Sequence, residues 1–147
     1  MPKREAPGDA QARRDRKLDK QGGYPLETEY VRSLLARTSV EFSDVRLLRR
    51  NTGVIALEDR VFRAGIPGQA DLYALARGGR HYEIECKRFK KLSAAQERWR
   101  DWCAQWEIPW LILEVDKTEQ PSETVDRWIR QLSRLFAMPE KTASPRV

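Results

Sequence analysis

A single histidine, His81, and two cysteines, Cys86 and Cys103, are the only soft or borderline metal ligands in this 147-residue chain. Tetrahedral zinc takes three or four such ligands at short spacing, so zinc chemistry is not expected. The two cysteines sit in apolar-patterned segments and read as small core residues of a chain kept reduced. A disulfide between them stays open at this level. No apolar run approaches the roughly 20 residues of a membrane-spanning helix. The N-terminal lysines and arginines are not followed by an apolar stretch, so neither a signal peptide nor an anchor is expected and the chain should be intracellular. No helix-turn-helix or zinc finger is recognisable, which removes the usual devices for reading base sequence.

What the chain does have is charge and aromatic mass. Hydrophobic residues make up 40%, with five tryptophans, enough to exclude global disorder and to fill one core. Lys and Arg number 28 against 22 Asp and Glu, a net charge of +6. That excess suits a polyanion, nucleic acid or an acidic membrane surface, although ordinary solubility charge would also account for it. Residues 1–23 are polar and punctuated by Pro and Gly, with Arg13, Arg14, Arg16 and Lys17 among alternating charges. They are expected to form a mobile basic arm with no apolar face for lipid. Residues 139–147 read as a flexible tail, leaving residues 24–138 as the folded domain. No internal repeat is present.

Within that domain, residues 26–38 have helical spacing, with Tyr30, Val31, Leu34 and Leu35 inward. Strands are expected at 45–48, 54–57, 71–76 and 81–87, with turns at Asn51-Thr52-Gly53 and Gly78-Gly79. Ser93 with Gln96 has capping-box spacing, and the helix behind it should turn Ala95, Trp99, Trp102, Cys103 and Trp106 to one side. Residues 110–115 form a continuous apolar run, expected as a strand buried on both faces. Pro121 opens a last helix with an inner stripe of Val125, Trp128, Ile129, Leu132, Leu135 and Phe136. The fold class is therefore α/β, a central mixed sheet flanked by helices.

The segment that carries chemistry is His81-Tyr82-Glu83-Ile84-Glu85-Cys86-Lys87. Strand alternation gives Tyr82, Ile84 and Cys86 one face and Glu83, Glu85 and Lys87 the other. Glu85 and Lys87 then stand side by side on a rigid element. A carboxylate can hold a hard divalent cation through oxygen, and a neighbouring ammonium can orient water and stabilise charge on a phosphate. Pairing through Gly78-Gly79 places Asp71 opposite Glu85 or Cys86, depending on turn length. Two carboxylates converge there, and the Cys86 backbone carbonyl is a further candidate metal oxygen. A lone Glu-x-Lys on a strand is usually a solvent-facing charge pair; the Gly-rich loop and the hairpin are what lift this one. Glu83 lies further from the expected metal and is left out, and His81 has no second ligand beside it.

The motifs Gly65-Ile66-Pro67-Gly68-Gln69-Ala70-Asp71, Glu85-Cys86-Lys87 and Leu92-Ser93-Ala94-Ala95-Gln96 resemble the VRR-NUC family, a branch of the PD-(D/E)xK nuclease superfamily. Arg49-Arg50-Asn51-Thr52-Gly53 is similar to that family's Arg/Asn/Gly segment. The likeness runs from about Glu27 to Val115, with Ala70 where the superfamily pattern has Pro. It implies a restriction-endonuclease-like core and a catalytic set of Asp71, Glu85, Lys87 and Gln96 with a glutamate from the first helix. Glu27 and Glu29 are the candidates; Glu27 shares the stripe of Val31, Leu34 and Leu35, whereas Glu29 aligns with Arg32 and Ser33 outside, so Glu27 is chosen. Its other role would be an anion favourable near a helix N-terminus. Gln96 is either the capping partner of Ser93 or a hydrogen bonder toward Lys87, water or phosphate.

The resemblance further implies Mg²⁺ or Mn²⁺, held by Asp71, Glu85, the Cys86 carbonyl and Glu27, and a structure-specific DNA endonuclease. Virus-type stand-alone members of the family act as homodimers on branched DNA such as Holliday junctions, which would suit a phage-encoded chain of this size. Arg49, Asn51, Arg88, Lys90 and Lys91 are expected to contact DNA phosphates, with Arg98 and Arg100 adding to the rim. Trp102, Trp106, Trp110 and Trp128 are expected in the core or, if exposed, at a dimer interface. The alternatives are a monomeric nicking or flap nuclease and a DNA-binding module without turnover.

Overall fold

The computed structural model describes residues 23–51 and 53–139. Almost all of the expected basic arm and tail, and Thr52 of the expected turn, therefore lie outside the described residues. Helix α1 (Glu27–Glu41) starts where the Glu29 carboxylate accepts the Leu26 backbone N–H at 2.9 Å. That capping contact satisfies a donor the helix itself cannot use. Tyr30, Val31, Leu34 and Thr38 form its buried stripe. Strands β1 (Val45–Arg49), β4 (Leu72–Ala76) and β5 (His81–Lys87) pair antiparallel in the order β1-β4-β5. Between β1 and β4, β2 (Gly53–Ala56) and β3 (Val61–Ala64) form a separate two-stranded hairpin. The strand over Val61–Ala64 was not expected: its four residues lack a clear alternation and follow the charged segment Glu58-Asp59-Arg60.

After β5 the chain crosses over through α2 (Ala94–Gln105) and returns as β6 (Trp110–Glu114), parallel to β5. Among the described residues the result is a four-stranded mixed open sheet with three helices. The last of these, α3 (Pro121–Ala137), opens with proline in its first turn and with Glu123 accepting the Gln120 N–H at 2.7 Å. Helices α1 and α3 cover one face of the sheet. Tyr30, Leu34, Trp128 and Leu132 pack there against Leu72, Ala74, Tyr82, Ile84 and Cys86. Burying five or six such side chains contributes on the order of 10 kcal/mol before entropy is counted. Trp128, fully buried, also donates its Nε1–H to the Glu114 carbonyl at 3.0 Å.

Two expectations fail at the other side of the molecule. Strand β6 is an edge strand, and Trp110, Leu111 and Ile112 are only half-buried rather than enclosed on both faces. Helix α2 buries Cys103 alone; Trp102 is 39% and Trp106 67% exposed. The apolar stripe of α2 is thus left uncovered toward its C-terminal end. Among the described residues no helix is long and apolar enough to cross a membrane.

Candidate active site

The turn after β4 decides the site's register. Gly78 and Gly79 both take positive φ, and the Ala76 and Arg80 backbones pair around a three-residue loop. Leu72 therefore faces Ile84, and Asp71, one residue before β4, comes beside Glu85. Of the two registers compatible with the sequence, this one joins the carboxylates. The Asp71 and Glu85 carboxyl groups lie close enough for each to act on the other's ionisation. Lys87 Nζ lies 3.7 Å from Glu85 Oε1, with both side chains almost closed to solvent.

Two helices complete the cluster. Glu27, at the start of α1, accepts the Arg88 backbone N–H at 3.2 Å and lies close enough to Asp71 and Lys87 to feel both charges. Of the two glutamates, Glu27 faces the cluster and Glu29 caps the helix. Gln96 caps Ser93 as expected, but its other hydrogen bond goes to Glu85 and not to Lys87, water or phosphate. Its Oε1 accepts the Ser93 N–H at 2.9 Å, while its Nε2 donates to Glu85 Oε1 at 2.7 Å. One amide side chain both starts α2 and fixes the rotation of the Glu85 carboxylate.

The loop before Asp71 is held against that helix start. A Cβ on Gly68 would lie 2.2 Å from the Ala95 carbonyl oxygen, and its φ is +87°. Only glycine permits both the backbone conformation and the approach. Arg50, on the other flank, named above only as part of the Arg/Asn/Gly segment, is internal scaffolding. Its backbone N–H donates to the Asp71 carbonyl at 2.8 Å, and its guanidinium reaches the Ala70 carbonyl at 2.8 Å. The same guanidinium grips Glu83 through two bonds of 2.6 and 2.7 Å. His81 Nε2 is 2.8 Å from Glu83 Oε1. Burial alone would raise the Glu83 carboxyl, but the Arg50 and His81 hydrogen bonds outweigh it and hold the group below its ordinary value. The signal for Arg50 lay in long-range strand pairing, which local pattern does not carry.

The electrostatics of the cluster run the other way. Burial, then repulsion from Asp71, pushes Glu85 from 4.5 up to about 8 despite Lys87. Burial also raises Asp71 and Glu27, with Asp71 adding to the latter. Three carboxyl groups thus share a partly desolvated space with one ammonium, an arrangement that opposes full ionisation. A hard, oxygen-seeking divalent cation would relieve it, and the donor set is all oxygen, so Mg²⁺ or Mn²⁺ fits. As the side chains lie, no three His, Cys, Asp or Glu among the described residues form a closed ligating group. Asp71 and Glu85 are the pair that would hold the ion, with Glu27 behind them. The Glu83 N–H donates to the Pro109 carbonyl and the Lys87 carbonyl accepts from the Val115 N–H, at either end of β6, so alternation turns the Cys86 carbonyl toward the β4 side, where Asp71 lies.

The surrounding cations divide. Lys90 and Lys91 are exposed, as are Arg49 and Asn51 at the end of β1. Beside Lys87 a cleft of about 710 Å³ is lined by Phe89, Lys90, Lys91, Asp116 and Lys117. Lys117 had no role in the sequence pattern. Arg88 does not serve the surface as expected: it is buried, and its guanidinium donates to the Tyr24 carbonyl at 2.7 Å. The alternation of β5 ends at Lys87, and Phe89 follows in a left-handed conformation that turns the chain there. Cys86 and Cys103 are free and buried, and burial lifts both thiols, Cys103 to about 11. No protein-family model, no curated protein and no solved structure matches this chain.

Proposed function

We propose that this chain is a metal-dependent nuclease that hydrolyses phosphodiester bonds in DNA, with a restriction-endonuclease-like core of the VRR-NUC kind. The observation that carries it is the convergence of Asp71, Glu85 and Lys87 on adjoining strands, with Glu27 and Gln96 delivered from two helices. A cluster of acids around one nearly buried lysine has little value for stability, because desolvating the charges costs more than they recover. Its value lies in chemistry.

Asp71 and Glu85 would hold the cation, Gln96 would keep the Glu85 carboxylate in the orientation that binds it, and Glu27 would add negative charge behind. A bound Mg²⁺ or Mn²⁺ supplies Lewis-acid polarisation of a phosphate oxygen. Lys87 orients the attacking water and stabilises charge on the phosphate in the transition state. Arg49, Asn51, Lys90, Lys91 and Lys117 take flanking phosphates, so recognition follows backbone and shape. Symmetric cutting of branched DNA such as a Holliday junction requires two such sites, hence a homodimer.

The deciding experiment is cleavage of duplex, flap, single-stranded and four-way DNA with Mg²⁺ or Mn²⁺ by wild type and Lys87→Ala, both checked for fold by circular dichroism. Cleavage by wild type and a loss on the order of 100-fold in the variant are expected. Equal activity in both, or none in either, ends the proposal.

A further inference from the structure

Helix α2 carries a second feature that catalysis does not use. Trp99, Trp102 and Trp106 form a ladder along it, with ring centroids 4.7 and 5.7 Å apart and interplanar angles of 21° and 35°. Trp99 is half-buried at the inner end, and exposure rises to 67% at Trp106. Among the described residues, Trp106 has an aromatic partner only on its Trp102 side. The ladder starts one turn from Gln96, the residue that touches Glu85. At about 1.5 Å rise per residue it extends roughly 15 Å from the site, the span of about four stacked bases at 3.4 Å each.

We infer that this ladder, through the one open ring face at Trp106, is a stacking track for an unpaired nucleobase of the strand whose phosphate enters the Asp71–Glu85–Lys87 site. Indole faces stack on any base, which suits a protein with no device for reading sequence. In intact duplex the bases are already stacked on one another, so the track selects substrates with unpaired nucleotides beside the scissile phosphate. At the end nearer the site the charge suits a polyanionic strand: exposed Lys90 and Lys91 lead into α2, and Arg98 makes no ion pair among the described residues. Further along, Glu97, Asp101 and Glu107 are acidic, so the contact offered at Trp106 is to a base and not to a phosphate. A second copy of the chain fits less well. The exposed fractions of Trp102 and Trp106 amount to roughly 250 Å², against about 800 Å² per partner in a stable interface. Exposed Glu97, Asp101, Gln105 and Glu107 surround them with polar groups. The dimer proposed above uses another surface.

The inference rests on the nuclease reading for the direction of the strand, but its test needs no turnover. Tryptophan fluorescence is titrated in EDTA with a 12-nucleotide oligothymidylate and with an abasic oligonucleotide of the same length and charge. Wild type should be quenched by the thymidylate and bind it roughly 10-fold or more tightly than the abasic strand. Trp106→Ala should weaken thymidylate binding roughly 5- to 100-fold with little change for the abasic strand, and Trp106→Phe should recover most of the loss. Equal binding of the two oligonucleotides by wild type overturns the inference, as does unchanged affinity in Trp106→Ala. A dimer that becomes a monomer in Trp106→Ala by sedimentation, with DNA binding intact, overturns it in favour of a protein interface. Base-dependent binding by a protein that cleaves nothing would keep the ladder and end the nuclease proposal; cleavage without base dependence would do the reverse.

Discussion

The two faces of β5 are built from alternate residues of one seven-residue strand, yet they obey opposite rules. Tyr82, Ile84 and Cys86 lie against α1 and α3 in an apolar core. Glu83 and Glu85 are as deeply buried, at 2% and 1% exposure, but under polar partners: Arg50 and His81 for one, Gln96, Asp71 and Lys87 for the other. Within the polar face there is a further contrast. Glu83 is neutralised by a guanidinium and sits below its ordinary carboxyl range, whereas Glu85 is crowded by Asp71 and sits far above it. One buried carboxylate is satisfied and structural. The other is held in want of positive charge, the condition of a site that expects a ligand.

The strongest way to break that contrast is Glu85→Gln. It should cut metal-dependent cleavage on the order of 1,000-fold while leaving the urea midpoint in EDTA at pH 8 unchanged or higher, since it removes a crowded acid. A fall in stability instead would make Glu85 a structural group like Glu83. On the opposite face, Ile84→Ala should do the reverse by opening a cavity, costing about 3 kcal/mol in equilibrium urea unfolding. Next in size, Gly68→Ala should cost about 1–3 kcal/mol through its left-handed φ and lower cleavage as well. The Ala95 carbonyl must move to admit the methyl, and Gln96 moves with it.

The smallest effect sharpens the contrast by pH. Glu85 is raised on folding, so between about 4.5 and 8 the folded protein retains a proton that the unfolded chain has lost. Its contribution therefore falls as pH rises through that window and levels off above it. Urea melts in EDTA from pH 5 to 9 should show this decline. Mg²⁺ should offset it increasingly toward pH 8, because cation and proton compete for the same oxygens. A profile that is flat, or identical with and without Mg²⁺, would remove the cation from the account.

Much of this was legible in the sequence where local periodicity governs. The buried stripes of α1 and α3, the alternation of β5 and the choice of Glu27 over Glu29 all follow from 3.6- and 2-residue repeats acting on residues a few places apart. The hairpin register was legible to within one residue, because glycine pairs permit turns of different length. What periodicity could not carry were facts set by distant chain. Arg50 becomes scaffolding because β1 lies beside β4, Arg88 turns inward to Tyr24, and Trp102 and Trp106 find no cover. An apolar stripe states which side of a helix seeks cover, not how far the cover reaches.

The spacing in sequence of the cluster's members has a consequence for assembly. Asp71 and Glu85 meet across a single hairpin, and Gln96 reaches Glu85 from 11 residues away. Glu27 joins only when α1 docks, because its partner Arg88 lies 61 residues further on. A nascent or partly folded chain would therefore bring the first two acids together before the third is in place.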